Sequence, residues 1–127
     1  MTIFRQKIPF LELPYTLENI KKYKSKDNLL RHARFIPGKT KGVFFVEPIT
    51  NSLIGYCGWD GDWIIALEVA KEFQKEGFGE KLLDKAISLG CTKLTVNNKN
   101  SVAISLYKKK GFRTTSTDGR ITVMELN

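Results

Sequence analysis

The residues best suited to chemistry lie in two stretches. The first reads Val69-Ala70-Lys71-Glu72-Phe73-Gln74-Lys75-Glu76-Gly77-Phe78-Gly79-Glu80. An apolar, strand-like run ends at Val69 and a short polar loop follows. Gln74-x-x-Gly77-x-Gly79 then opens an apolar stripe at helical spacing, Phe78, Leu82, Leu83, Ala86 and Ile87, which Gly90 is placed to end. The first turn of a helix has unbonded N–H groups and the positive end of the helix dipole, and together these bind phosphate. Glycines at 77 and 79 let a pyrophosphate approach the backbone where a Cβ would intrude. Two familiar phosphate loops do not fit. A dinucleotide fingerprint needs a third glycine where Leu82 stands, and a Walker loop needs Gly-Lys-Ser/Thr where the chain has Gly79-Glu80-Lys81. Taken alone, the stretch reads equally well as a helix start with no ligand.

The second stretch runs from Asn97 to Phe112, directly after a short buried strand expected over residues 94–96. Asn100 can cap a helix with Val102, Ala103, Leu106 and Tyr107 on one face, stopped by Gly111. Together the two stretches resemble the GNAT superfamily of N-acetyltransferases. In that family Q/R-x-x-G-x-G/A binds the CoA pyrophosphate, and N-x-x-A-x-x-L-Y-x-x-x-G-F marks the next strand–helix unit. The first pattern is met at Gln74, Gly77 and Gly79. The second is met at Asn100, Ala103, Leu106-Tyr107 and Gly111-Phe112. The resemblance is sharp over residues 64–112 and architectural elsewhere.

What the resemblance implies is an enzyme that moves an acetyl group from acetyl-CoA to a primary amine by direct attack in a ternary complex. The acceptor would be a peptide lysine, an N-terminus or an amine-bearing metabolite. A V-shaped opening is implied between two adjacent parallel strands, residues 63–69 and 94–96. The pantetheine would pair with the backbone near Leu67, Val69 and Lys71, and the pyrophosphate would sit after Gln74 on the N–H groups of Lys75, Glu76, Gly77, Phe78, Gly79 and Glu80. The Val69 N–H is the implied oxyanion donor, a contribution of about 3 kcal/mol. Tyr107 is implied to protonate the leaving thiolate; from its spacing alone it reads as a core-facing tyrosine. Asn100 and Ala103 are implied to touch the cofactor arm, although a helix cap is a sufficient account of Asn100.

The chain departs from the family pattern at the general base. The glutamate of histone-modifying members falls at Trp63, and that of the ribosomal-protein acetylating members at Thr95. Neither residue can take a proton. Glu68 is the only carboxylate inside either strand and is the candidate base, directly or through water. Its alternatives are a charged residue on the sheet's other face, or a water chain with no dedicated base. Glu76 also stands where many members carry Lys or Arg, leaving Lys75 and Lys81 to supply positive charge. His32 is expected to serve at the surface or in packing, and Trp59 and Trp63 to form a cross-strand pair beside the Asp60-Gly61 turn.

The elements that must position these residues follow from the patterning. A strand over residues 2–8 ends at Pro9. Thr16 caps a helix with Leu13, Leu17 and Ile20 on its apolar face, and Asp27 caps a second through Leu29, Leu30 and Ala33. Strands over residues 43–46, 53–59 and 63–69 form a meander whose last turn is the hairpin signal Asp60-Gly61. After the two chemical stretches, Asp118-Gly119 makes a closing hairpin between residues 112–116 and 121–126. The order β-α-α-β-β-β-α-β-α-β-β predicts one α/β (α+β) domain over residues 1–127, with a mixed, mostly antiparallel sheet.

Composition sets the outer bounds. The chain has 127 residues, 42% hydrophobic and 27% charged, as in globular domains. No apolar run approaches a membrane span, and the charged N-terminus excludes a secretory signal, so a cytoplasmic protein is expected. Cys57 and Cys91, with neither metal-ligand spacing nor a nearby His, suggest small buried residues and no metal. The net charge of +8 would attract phosphate, acidic protein or nucleic acid. Its dense clusters, Lys21 to Lys26 and Lys108 to Lys110, read as solvated helix faces. Two other functions remain: a catalytically inactive acyl-CoA sensor, and less favoured, a basic nucleic-acid-binding module. The short first helices and tight last hairpin predict an open acceptor site, and the basic surface disfavours polyamines unless Glu12, Glu18 and Glu47 gather at its mouth.

Overall fold

The computed structural model describes residues 8–24, 29–30 and 33–126. In chain order the elements are β1 (Leu11–Pro14), α1 (Leu17–Lys24), β2 (Thr40–Glu47), β3 (Ser52–Asp60), β4 (Trp63–Val69), α2 (Phe78–Ser88), β5 (Lys93–Asn97), α3 (Ser101–Lys109), β6 (Phe112–Asp118) and β7 (Ile121–Leu126). The strands form a seven-stranded sheet in the order β1-β2-β3-β4-β5-β7-β6. Every join is antiparallel except β4–β5. This is the mixed α/β arrangement expected from the sequence. No helix among the described residues is long and apolar enough to cross a membrane.

Alternation along the strands builds two cores, one on each face of the sheet. Val43 and Phe45 of β2, Cys57 and Trp59 of β3, and Leu94 and Val96 of β5 meet Phe78, Leu82, Leu83 and Ala86 of α2 and Tyr107 of α3. Phe44 and Val46, facing the other way, join Tyr56, Tyr15 and the α1 residues Ile20 and Tyr23. Both cysteines are buried and unbridged. Gly42 has the least room for a side chain among the described glycines. A Cβ there would lie 2.1 Å from the Cys57 carbonyl oxygen and 3.0 Å from Tyr15 Cβ. Gly42→Ala is therefore expected to destabilise the fold at the upper end of the about 1–3 kcal/mol typical of overpacking, read as a lower urea midpoint at unchanged slope.

Several local expectations are corrected. Most of the strand expected over residues 2–8 falls outside the described residues; Ile8 is not in a strand, and the strand found is Leu11–Pro14. Leu13, expected on the first helix, pairs with Phe44 from within β1. The Thr16 cap forms, its Oγ1 accepting the Asn19 N–H at 3.1 Å. Asp27 and His32 lie outside the described residues; Leu29 and Leu30 are in a short 3-10 turn that Ala33 has left. Both hairpins slip by one position. Asp60 pairs with Trp63 and Asp118 with Ile121, so the turns are Gly61-Asp62 and Gly119-Arg120. Each leads with a positive-φ glycine, at 58° and 56°, and the residue after it is not left-handed. That is the II′ pattern, which places the aspartate as the last strand residue.

Candidate active site

The one parallel join is short. β4 and β5 pair only at Trp63 with Lys93 and Ile64 with Leu94. Beyond these the two strands part, although β4 runs on to Val69 and β5 to Asn97. A register shift in β4 skips Ile65 just past the last pair. The result is the expected V-shaped opening. The Ala70 N–H bonds Ile54 O at 2.8 Å, back toward β3. Backbone groups alternate sides along a strand, so Leu67 and Val69 turn their N–H and C=O groups toward the edge that β5 has left. In keeping with this, the Gln74 amide donates to the Val69 carbonyl at 3.1 Å.

One arm of the V leads into the glycine loop. After a 3-10 turn at Lys71–Phe73, Lys75 (φ 68°) and Gly77 (φ 87°) adopt left-handed angles while Gln74 (φ −68°) does not. Gln74 is extended, at ψ 156°, and the loop leads onto the N-terminus of α2, where free N–H groups and the helix dipole favour an anion. The first α2 bond is Lys81 N–H to Gly77 O, which leaves the N–H groups of Phe78, Gly79 and Glu80 without helical acceptors. Gly79 faces the gap between β4 and α3. A Cβ there would lie 3.7 Å from Val69 Cγ2 and 3.9 Å from Leu106 Cδ2. The cradle is thus one that a larger side chain would fill, and the residues present fit a pyrophosphate. Lys71, Lys75 and Glu76 are exposed and Phe78 is buried.

The charges around this loop differ from expectation. Glu80 accepts ion pairs from Lys109 at 3.1 Å and Lys110 at 2.8 Å, and Lys110 also reaches Asp84 at 2.9 Å. These bonds hold the Glu80 carboxyl below its ordinary pKa and raise that of Lys110. The Lys108 to Lys110 run is therefore partly engaged and is not simply a solvated face. Lys81 sits 5.3 Å from the Phe10 ring centroid.

Across the opening, Asn100 caps α3 by accepting the Ala103 N–H at 3.1 Å. Tyr107 projects from α3 into the core shared by Ile64, Leu67, Val69 and Leu94, its ring edge-on to Phe112 at 6.0 Å. Burial, with a smaller contribution from nearby Cys57, pushes its pKa up to about 12. Among the described residues its hydroxyl has no hydrogen-bond partner, yet no sealed side-chain polar atom lacks one. The hydroxyl therefore borders open space.

Glu68 pairs with Tyr56 across β3–β4 and so lies on the α1 face, opposite the helices that flank the glycine loop. At the fork on that face is a cavity of about 420 Å³, lined among others by Arg34, Lys39, Asp60, Trp63, Ile65 and Thr95. Ile65 and Thr95 are the first residues past the last β4–β5 pair, so the cavity opens where the strands separate. Trp63 and Thr95, the two positions lacking a glutamate, both line it. Trp59 and Trp63 are not the expected cross-strand pair: Trp59 sits opposite Ile64 and is buried, whereas Trp63 is 37% exposed. Asp60, Arg34 and Lys39 were not legible as site residues. Asp60 looked like a turn residue, and Arg34 and Lys39 follow a segment with no strong pattern. The acidic mouth does not assemble. Glu12 pairs with Lys85 at 3.2 Å, Glu47 accepts N–H bonds from Ile49 and Thr50, and Glu18 lies in the first turn of α1.

A family model described as the acetyltransferase (GNAT) domain matches residues 40–114, more than half of the chain. The chain belongs to the GNAT acetyltransferase family. Its GNAT fold recurs in solved structures. PH1933 from Pyrococcus horikoshii OT3 is 28% identical, over 66% of this chain and 65% of that one, with a TM-score of 0.58. The ribosomal-protein-S18-alanine N-acetyltransferase of Escherichia coli is 18% identical over 93% of both chains, at TM-score 0.69. The PaiA N-acetyltransferase of Thermoplasma acidophilum, solved with coenzyme A, is 16% identical over 94% of this chain and 99% of that one, at 0.68. None of the curated proteins compared matches the chain. The GNAT motifs fall on the glycine loop and on α3, the two sides of the V.

Proposed function

We propose that this GNAT domain transfers the acetyl group of acetyl-CoA to a primary amine, by direct attack in a ternary complex. The observation that carries the reading is the fork. Two parallel strands pair twice and then part, with cleft-facing backbone groups at Leu67 and Val69, free N–H groups at the start of α2 and the Tyr107 hydroxyl bordering open space. Acetyl-CoA, when bound, supplies the activated acetyl thioester. Leu67, Val69 and Lys71 hold the pantetheine arm through their backbone, and the N–H groups of Lys75 to Glu80 hold the pyrophosphate. Gln74 braces the Val69 carbonyl, and Asn100 and Ala103 fix the start of α3 beside the arm. The Val69 N–H donates to the carbonyl oxygen as charge gathers on it. Tyr107 donates to the departing sulfur.

The amine arrives from the α1 face, where the cavity meets the fork. An ammonium must lose its proton before attack. Glu68, on that face, takes it directly or through water. Asp60, the carboxylate lining the cavity, is the other acceptor within the site. Neither cysteine serves as a nucleophile: burial pushes both thiols up, Cys91 to about 11, so the thiolate is scarce at neutral pH.

The test is calorimetric titration with acetyl-CoA, followed by thiol release measured over a panel of amines. Binding and amine-dependent release together support the reading; failure to bind any CoA species overturns it. The missing glutamates at Trp63 and Thr95 favour one second reading, an acyl-CoA-binding domain without turnover. Binding with no release for any amine would select that one.

A further inference from the structure

We infer, resting on the acetyl-transfer reading, that the acceptor is an amine carried beside a carboxylate, the charge pattern of an α-amino acid or an acidic peptide. The cavity at the fork is lined by two cationic residues, Arg34 and Lys39, both exposed, and by one half-buried carboxylate residue, Asp60. Among the described residues none of the three forms an ion pair. They share a space of about 420 Å³ without neutralising one another. Such a site suits a ligand that brings both signs, which meets the two exposed cations and the carboxylate together.

The placement of these groups is built, not incidental. The Tyr15 hydroxyl, 4% exposed as a residue, donates to the Arg34 carbonyl at 2.7 Å. The Ile36 N–H donates to Thr40 Oγ1 at 2.8 Å, and that hydroxyl donates to Asp60 Oδ1 at 2.7 Å. The Lys39 and Thr40 N–H groups both return to the Ile36 carbonyl. A chain of hydrogen bonds thus fastens the segment carrying Arg34 and Lys39 to the end of β3. Asp60 has one oxygen hydrogen-bonded to Thr40 and lines the cavity. Trp63 gives a flat apolar wall for the carbon skeleton between the substrate's charges, backed by Lys93 at 5.7 Å from its ring.

With one more cation than carboxylate, the cavity selects against polyamines and against lysines in basic sequence. An acceptor with a carboxylate near its amine seats the anion on Arg34 and Lys39 and the ammonium toward Asp60. Arg34 supplies a planar fork for that carboxylate and Lys39 a point charge.

The experiment compares kcat/KM at saturating acetyl-CoA for L-aspartate and three peptides of equal length with a free N-terminus: one Asp/Glu-rich, one its Asn/Gln counterpart and one its Lys counterpart. Wild type is expected to favour an acidic acceptor over the neutral peptide by about 10-fold or more, the scale of a charge-assisted contact. Whether L-aspartate or the acidic peptide leads identifies the source. The Arg34→Glu/Lys39→Glu variant should lose that preference and favour the Lys peptide, with the affinity for acetyl-CoA unchanged. Calorimetric titration of the acidic peptide into the CoA-bound protein gives the same ranking without turnover. A neutral or basic acceptor equal to the acidic ones, or a ranking that charge reversal leaves intact, overturns the inference while the acetyl-transfer reading stands. Absence of acetyl-CoA binding and of thiol release with every acceptor overturns both.

Discussion

Tyr107→Phe is expected to lower kcat by about 100-fold, the lower end of the range for general acid–base catalysis, with the affinity for acetyl-CoA little changed. The ring supplies the packing against Phe112 and the core, and phenylalanine keeps it. The hydroxyl has no partner among the described residues, so its removal strands no polar group. The size of the effect follows from acidity. A phenol at about 12 is a weaker acid than a thiol near 8.5, so full proton transfer to the leaving sulfur is uphill. The benefit lies in the hydrogen bond shared while charge develops. The raised pKa also fixes the sign of the pH dependence: Tyr107 stays protonated as pH rises, and gives no alkaline fall in rate until pH nears about 12. Single-turnover rates across pH read this directly. A variant with wild-type kcat would show that the thiolate departs unaided.

Gly79→Trp is expected to abolish acetyl-CoA binding, a loss of more than about 100-fold in Kd, with the melting temperature close to wild type. Gly79 looks into the gap between Val69 of β4 and Leu106 of α3, where a Cβ makes only ordinary contacts. The backbone therefore accepts a side chain, and the bulk of an indole occupies the cleft. Val102→Trp, at a position 82% exposed on α3, adds the same bulk outside the cleft and should leave binding intact. Calorimetry on the two variants side by side separates a blocked cleft from a damaged fold. Undiminished binding by Gly79→Trp would place the cofactor elsewhere.

The parts of this molecule legible in the sequence are those set by local rules. Glycines at 77 and 79 before an apolar stripe, and Asn100 three residues before Ala103, announce a helix start and a cap; both form as read. The meander and the parallel crossover follow from periodicity. Where two local rules competed, the tertiary structure decided. Leu13 fits a helix stripe by spacing but is held in β1 by pairing with Phe44, and Pro14 ends that strand. Asp60-Gly61 and Asp118-Gly119 fit a hairpin dipeptide, yet the register places each turn one residue later. The cavity at the fork was illegible because its lining comes from the segment before β2, the end of β3, the start of β4 and β5. Nothing in their local spacing links them.

The division of the sheet at the fork has a mechanical consequence. Strands β1 to β4 and strands β5, β7 and β6 are two half-sheets, joined in the ladder by only two residue pairs. Each half wears its own helix, α2 on β3 and β4, α3 on β6. On the outside, Glu80 and Asp84 of α2 grip Lys109 at the end of α3 and Lys110 just past it like a clasp over a hinge. Such solvent-accessible pairs loosen as salt rises, whereas the buried apolar contacts of each half do not. Ionic strength therefore acts on the seam before it acts on either shell, and on the proposed reading the seam lies between the two substrates.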